Sequence, residues 1–365
     1  AIAAVDAPSV ERMRAVGAIP FARTNLPDLG LRVHTDSSLH GLTRNPHQPG
    51  RTAGGSSGGE ASALASGMSP LGLGNDIGGS LRNPAHCCGI ASIKPTVGVV
   101  PMASVIPPED MMLAAQQMLA EGPMARQVAD VRAALIALSG AHVRDPRSLP
   151  VALADLDTSP VQVAVLAEPP GGSTHPEIAA AIRRAGDVLS DLGHDVREVA
   201  PPDYERVIEL WVGLLIADLT VQRPLLDAVM GESGRKVLDA FQLSSPPPSV
   251  ELSADIQLGR YRLMREWSAF FTQHPVLLSP TWAQPPFEHG ADLDDSEGIV
   301  RDTLRPVLPA NVLGLPAAVV PCGVADGMPV GVQVIGDRFT DLRCLAIAEQ
   351  IQHAVGAPAP IDPVT

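Results

Sequence analysis

The sequence predicts an α/β fold. Two observations carry the prediction: apolar runs of strand length alternate with longer stretches of helical periodicity, and glycine-rich turns sit between them. At the start, Asp6 offers an N-cap and Pro8 suits a first helical turn; Val10, Met13 and Val16 face one side before Gly17 stops the helix. Residues 18–22 read as a short strand and 24–47 as a polar, turn-rich connection. A glycine and serine cluster at 54–59 feeds a helix over 60–66. A buried strand over 71–74 and a second glycine turn at Gly78 and Gly79 follow. Val128, Val131, Leu135 and Leu138 recur at helical spacing ahead of Gly140, and 161–167 reads as a strand. Ile178, Ile182, Ala185 and Leu189 share one face of a helix over 176–192, stopped by Gly193 and followed by a strand at 196–199. Residues 204–271 are mostly helical, broken by the prolines at 246–248. The runs 276–278, 317–320 and 331–335 are β-prone, and a helix starting near Thr340 covers 342–355.

Composition narrows the function. The 365 residues can bury a large core, in one big domain or two ordinary ones. A formal net charge of −14 with no run of Lys or Arg argues against a nucleic-acid or anionic-membrane surface, since such binding begins with clustered cations. A small-molecule partner is expected. No run of about 18 apolar residues is present, and the first residues lack a charged segment followed by an apolar one, so the chain reads as soluble and cytoplasmic. Cys87, Cys88, Cys322 and Cys344 are too few for a disulfide framework and lack zinc-type spacing; they read as buried thiols. The histidines His34, His40, His47 and His86 have no ligand spacing, and no metal or organic cofactor is expected.

The chemistry lies in two segments, Gly54-Gly55-Ser56-Ser57-Gly58-Gly59 and Gly74-Asn75-Asp76-Ile77-Gly78-Gly79-Ser80-Leu81-Arg82. Each sets a serine among glycines. Glycine permits positive φ and close backbone approach, so successive N–H groups can converge on one anionic atom. A tetrahedral intermediate needs donors where its negative oxygen forms, and Ile77, Gly78, Gly79 and Ser80 can supply them beside a nucleophilic Ser80. A single such segment would read as an ordinary turn. The pair is more informative.

This pair, continuing through Pro84 and Ala85 to Lys94-Pro95-Thr96, resembles the core of the amidase-signature family. The likeness extends to Gly17-Ala18-Ile19, Thr24-Asn25-Leu26, Gly122 to Arg126, Asn311 to Pro316 and Gly327 to Gly336. It implies a large mixed β-sheet core flanked by α-helices in one domain over 1–365. Residues 1–140 and 270–365 would form the core with the serine site, and 200–270 a helical substrate side. It implies an amidase, with a small-molecule amide as partner and a homo-oligomer left open. Ser80 would form the acyl-enzyme, the N–H groups of Ile77, Gly78, Gly79 and Ser80 would hold the oxyanion, and Ser56, after a cis bond from Gly55, would shuttle the proton. Ser57, Asp76 and Arg82 would support the site. The substrate walls would come from 102–119 and 204–271, where Met111, Met112 and Met118 read first as core packing.

Asn75 departs from the family's usual small hydroxyl residue. A larger departure concerns the base, which in this family is a lysine upstream of the Gly-Ala-Ile segment. The only lysines are Lys94, in the Lys-Pro-Thr turn, and Lys236, on a surface helix. The expectation is an N-terminally shortened amidase with impaired activity. Two alternatives stand beside it. One is a non-catalytic or amidotransferase-subunit-like amide binder. The other reads Gly54 to Gly58 as the GxSxG elbow of an α/β-hydrolase, with Ser56 as nucleophile and His289 or His353 as its histidine.

Overall fold

The computed structural model describes residues 3–105, 110–151, 153, 159–243 and 247–363. Its first helix, α1 (Pro8–Ala15), takes Pro8 into the first turn as expected, but Ala7 is the N-cap. Asp6 instead forms an ion pair with Arg14 at 3.0 Å. Residues 18–22 are not a strand; they find no ladder partner, and Ile19 and Phe21 stand exposed. An apolar run therefore misled there. A two-stranded ribbon follows, β1 (Asp36–Ser37) with β2 (Gly41–Leu42).

The main sheet among the described residues has eight strands: β3 (Leu71–Asp76), β4 (Ala91–Lys94), β5 (Ala120–Ala125), β6 (Gln162–Val165), β7 (Asp195–Glu198), β8 (Val276–Pro280), β9 (Ala317–Ala325) and β10 (Met328–Ile335). Their spatial order is β3-β5-β4-β9-β10-β8-β6-β7. Pairing is antiparallel from β3 to β8, while β6 runs parallel to both β8 and β7, with Val163 opposite Val276 and Val196. The sheet is mixed, as anticipated. Its central strands are buried on both faces, which explains why β8 reads as a continuous apolar run instead of an alternation.

The helices are α2 (Gly58–Ala65), α3 (Arg82–Cys88), α4 (Leu113–Met118), α5 (Val128–Leu138), α6 (Pro176–Asp191), α7 (Tyr204–Val229), α8 (Glu232–Leu243), α9 (Val250–Gln273), α10 (Ala291–Asp294), α11 (Ser296–Gly298), α12 (Leu308–Val312) and α13 (Asp341–Val355). One face of the sheet packs against α5, α6 and α13 through Leu135, Ile182, Leu189, Leu345 and Ile351. On the other, α3, α7, α9 and α12 bury Leu81, Trp211, Trp267 and Val312. In α6, Ile178, Ile182, Ala185 and Leu189 are buried as their spacing required, Pro176 occupies the first turn, and Gly193 takes φ +93° just beyond the end. The helical segment expected over 204–271 is α7, α8 and α9, with a first break at Met230 and Gly231; Pro247 and Pro248 precede α9, and Pro246 lies outside the described residues. All four cysteines are buried free thiols.

Candidate active site

The two glycine-serine turns touch each other. The first leads into α2, and the second joins the end of β3 to α3. A Cβ on Gly54 would stand 2.8 Å from the Cα of Pro84 in the first turn of α3, just beyond the second glycine-serine turn, so only glycine permits this approach. The Ser57 N–H donates to the Ser80 carbonyl at 3.3 Å. Asn83 spans the pair: its Nδ2 donates to the Gly55 carbonyl at 3.2 Å and the Gly78 carbonyl at 3.1 Å, while its Oδ1 accepts from Trp282 Nε1 at 2.8 Å. The Gly55–Ser56 peptide bond is cis. Behind it, Thr35 Oγ1 donates to the Gly54 carbonyl at 2.8 Å and accepts from the Gly58 N–H at 3.1 Å.

Ser56 and Ser80 are both buried, and neither hydroxyl has a hydrogen-bond partner among the described residues. A Cβ placed on Gly30 would lie 3.4 Å from Ser56 Oγ, so the bare backbone of that glycine forms the other wall beside the hydroxyl. Ser57 Oγ faces β3, where a Cβ on Gly74 would come within 2.6 Å of it.

Asp76 ends β3 and organises the second turn. Its carboxylate accepts from the Gly79 N–H at 2.7 Å, the Leu81 N–H at 3.2 Å and Asn311 Nδ2 at 2.9 Å, and it pairs twice with Arg82, at 2.9 and 3.0 Å. Arg82 directs its remaining donors to the Val307 carbonyl, Gln333 Oε1 and Asn311 Oδ1. Burial by itself would raise the Asp76 carboxyl, but the charge and hydrogen bonds of Arg82, aided by Lys94 and Asn311, hold it at about 2. Asp76 and Arg82 are therefore a fully satisfied support for the turn, with no proton to exchange near neutrality.

The Gly79 N–H is thus committed to Asp76. The N–H groups of Ile77, Gly78 and Ser80 have no acceptor among the described residues. They are the unclaimed donors of this turn.

Ile77, Gly78 and Ser80 face a cavity of about 530 Å³. Its apolar walls include Ile208, Trp211, Val212, Leu215, Phe241 and Ile299. Glu205, Glu209 and Glu297 also line it, as do Arg301 and the buried ion pair of Arg32 with Asp292, at 2.6 and 2.9 Å. The expected contribution of 204–271 to these walls is present. Among the described residues 102–119 supplies none, and Met118 is packed in the core instead. Trp211 reaches the second turn directly, with Nε1 donating to the Ile77 carbonyl at 2.8 Å.

Lys94 is buried at the end of β4 with Nζ donating to the Pro95 carbonyl at 2.8 Å. Burial, reinforced by Arg82, lowers its ammonium to about 7 against the opposing pull of Asp76 and Asp341. Lys236 pairs with Glu232 on the surface of α8 at 2.8 Å. The histidines of the elbow reading do not meet Ser56: His289 Nε2 is hydrogen-bonded to the Pro49 carbonyl, and His353 is exposed on α13. Among the described residues no strand runs into the Ser56 turn, so the turn leads into α2 without the strand that an elbow requires before it. Among the described residues no group of three or more His, Cys, Asp or Glu could hold a metal, and no helix is long and apolar enough to cross a membrane.

Asn83, Trp211 and the Arg32–Asp292 pair escaped sequence reasoning. Asn83 occupies a variable place in the recognised pattern, and the others reach the site across long stretches of chain.

The family model described as Amidase matches residues 1–345. An indoleacetamide hydrolase of Bradyrhizobium japonicum is 38% identical over 363 residues, covering 98% of this chain and 78% of that protein. One component of the glutamyl-tRNA(Gln) amidotransferase of Synechococcus sp. (strain RCC307) is 30% identical, covering 96% of this chain and 77% of its own length. The solved structure of a bacterial aryl acylamidase of the amidase-signature family superposes with a TM-score of 0.80 at 28% identity, over 96% of this chain and 76% of that one.

Proposed function

The chain belongs to the amidase family of amide-hydrolysing enzymes, and on that premise we propose that Ser80 and Ser56 carry the reaction on an uncharged, aryl-bearing carboxamide. Ser80 Oγ attacks the amide carbonyl, forming the C–O bond as the carbonyl oxygen takes the negative charge. The unclaimed N–H groups of Ile77, Gly78 and Ser80 receive that charge; this is the observation that supports the reading most directly. The C–N bond then breaks, and Ser56 passes the Ser80 proton to the departing amine. Water attacks the acyl-serine and releases the carboxylate. Gly79 acts indirectly, through its bond to Asp76, which with Arg82 and Ser57 fixes the turn.

The substrate class follows from the cavity. Its volume suits a ring-sized acyl group and its walls are largely aromatic and aliphatic; among the described residues Glu205 and Glu297 have no ion-pair partner and oppose a carboxylate, while Arg301 is paired with Asp302 and Arg305 spends its donors on backbone carbonyls and Thr174. The indoleacetamide hydrolase acts, by its name, on an amide of that kind. A role within an amidotransferase, which would place glutamine in the same cavity, is the second reading, supported by the 30% identity to the Synechococcus protein.

Between Ser80 and the departing amine, no lysine among the described residues is placed to hold the proton. Lys94 is held at the Pro95 carbonyl and Lys236 at Glu232, so neither is hydrogen-bonded to Ser56. We accordingly propose that turnover by this chain falls roughly 10²- to 10⁴-fold below that of relatives whose lysine serves as base, the usual contribution of such a group. The assay is ammonia release from phenylacetamide, indoleacetamide, acetamide and glutamine by the chain and by Ser80→Ala. Slow release from the aryl amides that Ser80→Ala abolishes supports the assignment. Release that survives in Ser80→Ala defeats it, and preference for glutamine favours the second reading.

A further inference from the structure

Resting on the acyl-serine reading above, we propose that Trp211 is a positioning residue for the oxyanion hole, its indole N–H holding the Ile77–Gly78 peptide so that the Gly78 N–H meets the reacting carbonyl. Trp211 projects from α7 and donates to the Ile77 carbonyl at 2.8 Å. In a planar trans peptide, the carbonyl and the following N–H point in opposite directions. With its carbonyl turned to the indole, the plane turns the Gly78 N–H away from it. That N–H has no acceptor among the described residues, and Gly78 lines the cavity beside Ser80. The ring also packs on Gly78: a Cβ there would lie 2.7 Å from Trp211 Cζ2, so the contact requires glycine.

The next peptide group is held from elsewhere at both ends, its Gly78 carbonyl by Asn83 and its Gly79 N–H by Asp76. Trp211 differs from both because its ring is also a wall of the acyl cavity, with Phe241 against it edge-on at 6.0 Å between centroids. An acyl group that fills the cavity therefore packs on the side chain that aims an oxyanion donor. Filling the cavity with substrate would raise the rate of the chemical step as well as affinity.

The test compares two ligands on the intact chain and on Trp211→Phe, which keeps a ring but loses the N–H. Benzylboronic acid adds Ser80 Oγ to boron, releases a proton to solvent and leaves a tetrahedral anion in the hole; at equilibrium this needs no general base. Benzyl alcohol fills the cavity without forming an adduct. The expected result is a loss of boronic acid affinity of roughly 10- to 100-fold in Trp211→Phe, less than the roughly 10²- to 10³-fold for removing an oxyanion donor outright because the Gly78 N–H is misaimed and not deleted, with benzyl alcohol changed by about twofold or less. Equal weakening of both ligands, or of neither, overturns the role of Trp211. If wild type itself shows no preference for the boronic acid, the acyl-serine reading falls and this inference with it. Should Trp211→Phe fail to fold, the wild-type Gly78 amide proton decides by NMR: a downfield shift on adduct formation is expected, and its absence overturns the proposal.

Discussion

The main chains of Ser57 and Ser80 are joined, the N–H of one donating to the carbonyl of the other at 3.3 Å, so the two glycine-serine turns form one unit. Asn83 reinforces that joint from its side chain, bonding the Gly55 and Gly78 carbonyls at once. Asn83→Ala removes both links and leaves Trp282 Nε1 without its acceptor. We expect about 1–3 kcal/mol of lost stability, the usual cost of an orphaned buried donor, and a 10- to 100-fold fall in kcat. Urea denaturation and steady-state kinetics on the same variant check the two numbers separately.

Acid sensitivity should trace to Asp76. Its carboxyl titrates at about 2 when folded, because Arg82 more than offsets the effect of burial, against about 3.9 for an unfolded chain. A depressed carboxyl contributes stability that is complete above the unfolded value and lost as pH falls from about 4 toward 2. Asp76→Asn should flatten that loss. At pH 7 it should also cost roughly 3–5 kcal/mol by leaving Arg82 buried without its charge partner. Urea denaturation from pH 2 to pH 7 tests both expectations.

Lys94 predicts a slope of the same sign in a higher pH window. Burial lowers its folded titration to about 7, while an unfolded lysine titrates near 10.4. Between those values the unfolded chain binds the extra proton, so stability rises with pH by up to about 1.4 kcal/mol per unit. Lys94→Met should lack this rise. The difference between variant and wild type across pH 7 to 10 isolates the lysine from the thiols that also titrate there, and a constant difference would contradict the assignment.

Phe241 should set acyl preference. It stands edge-on to Trp211 in the cavity wall, and Phe241→Ala removes ring contact from a bound aryl group. A loss of about 1–3 kcal/mol in that contact corresponds to a 5- to 150-fold drop in kcat/KM for indoleacetamide. Acetamide, too small to reach Phe241, should change little. The ratio of the two specificity constants is the measurement.

Much of this site was legible because local chemistry dictates it. Glycines that must approach another backbone, as Gly54 approaches Pro84, leave a mark in sequence, and the apolar spacing of α6 fixes its buried face before any partner is known. What the sequence concealed depends on distant chain. The strands β4 and β5 carry Lys94, Gly122 and Pro123 and do not look like strands; their place between β3 and β9 makes them so. Residues 18–22 show the reverse, a strand-like run with no ladder to join. Trp211 looked like any aromatic residue of a helix until α7 brought its N–H to Ile77.

The guanidinium of Arg82 has one more consequence, which concerns time. Its partners Val307, Asn311 and Gln333 lie 225, 229 and 251 positions further along the chain. Loops of that length close late, since the entropy of bringing their ends together opposes closure before any contact offsets it. A ribosome will have made both serine turns long before it makes the residues that lock them. Until the last third of the chain emerges, Arg82 has Asp76 alone, and the nucleophile's turn lacks its outer anchors. Competence for chemistry should therefore appear abruptly once Gln333 has emerged, and never in a nascent chain that stops short of it.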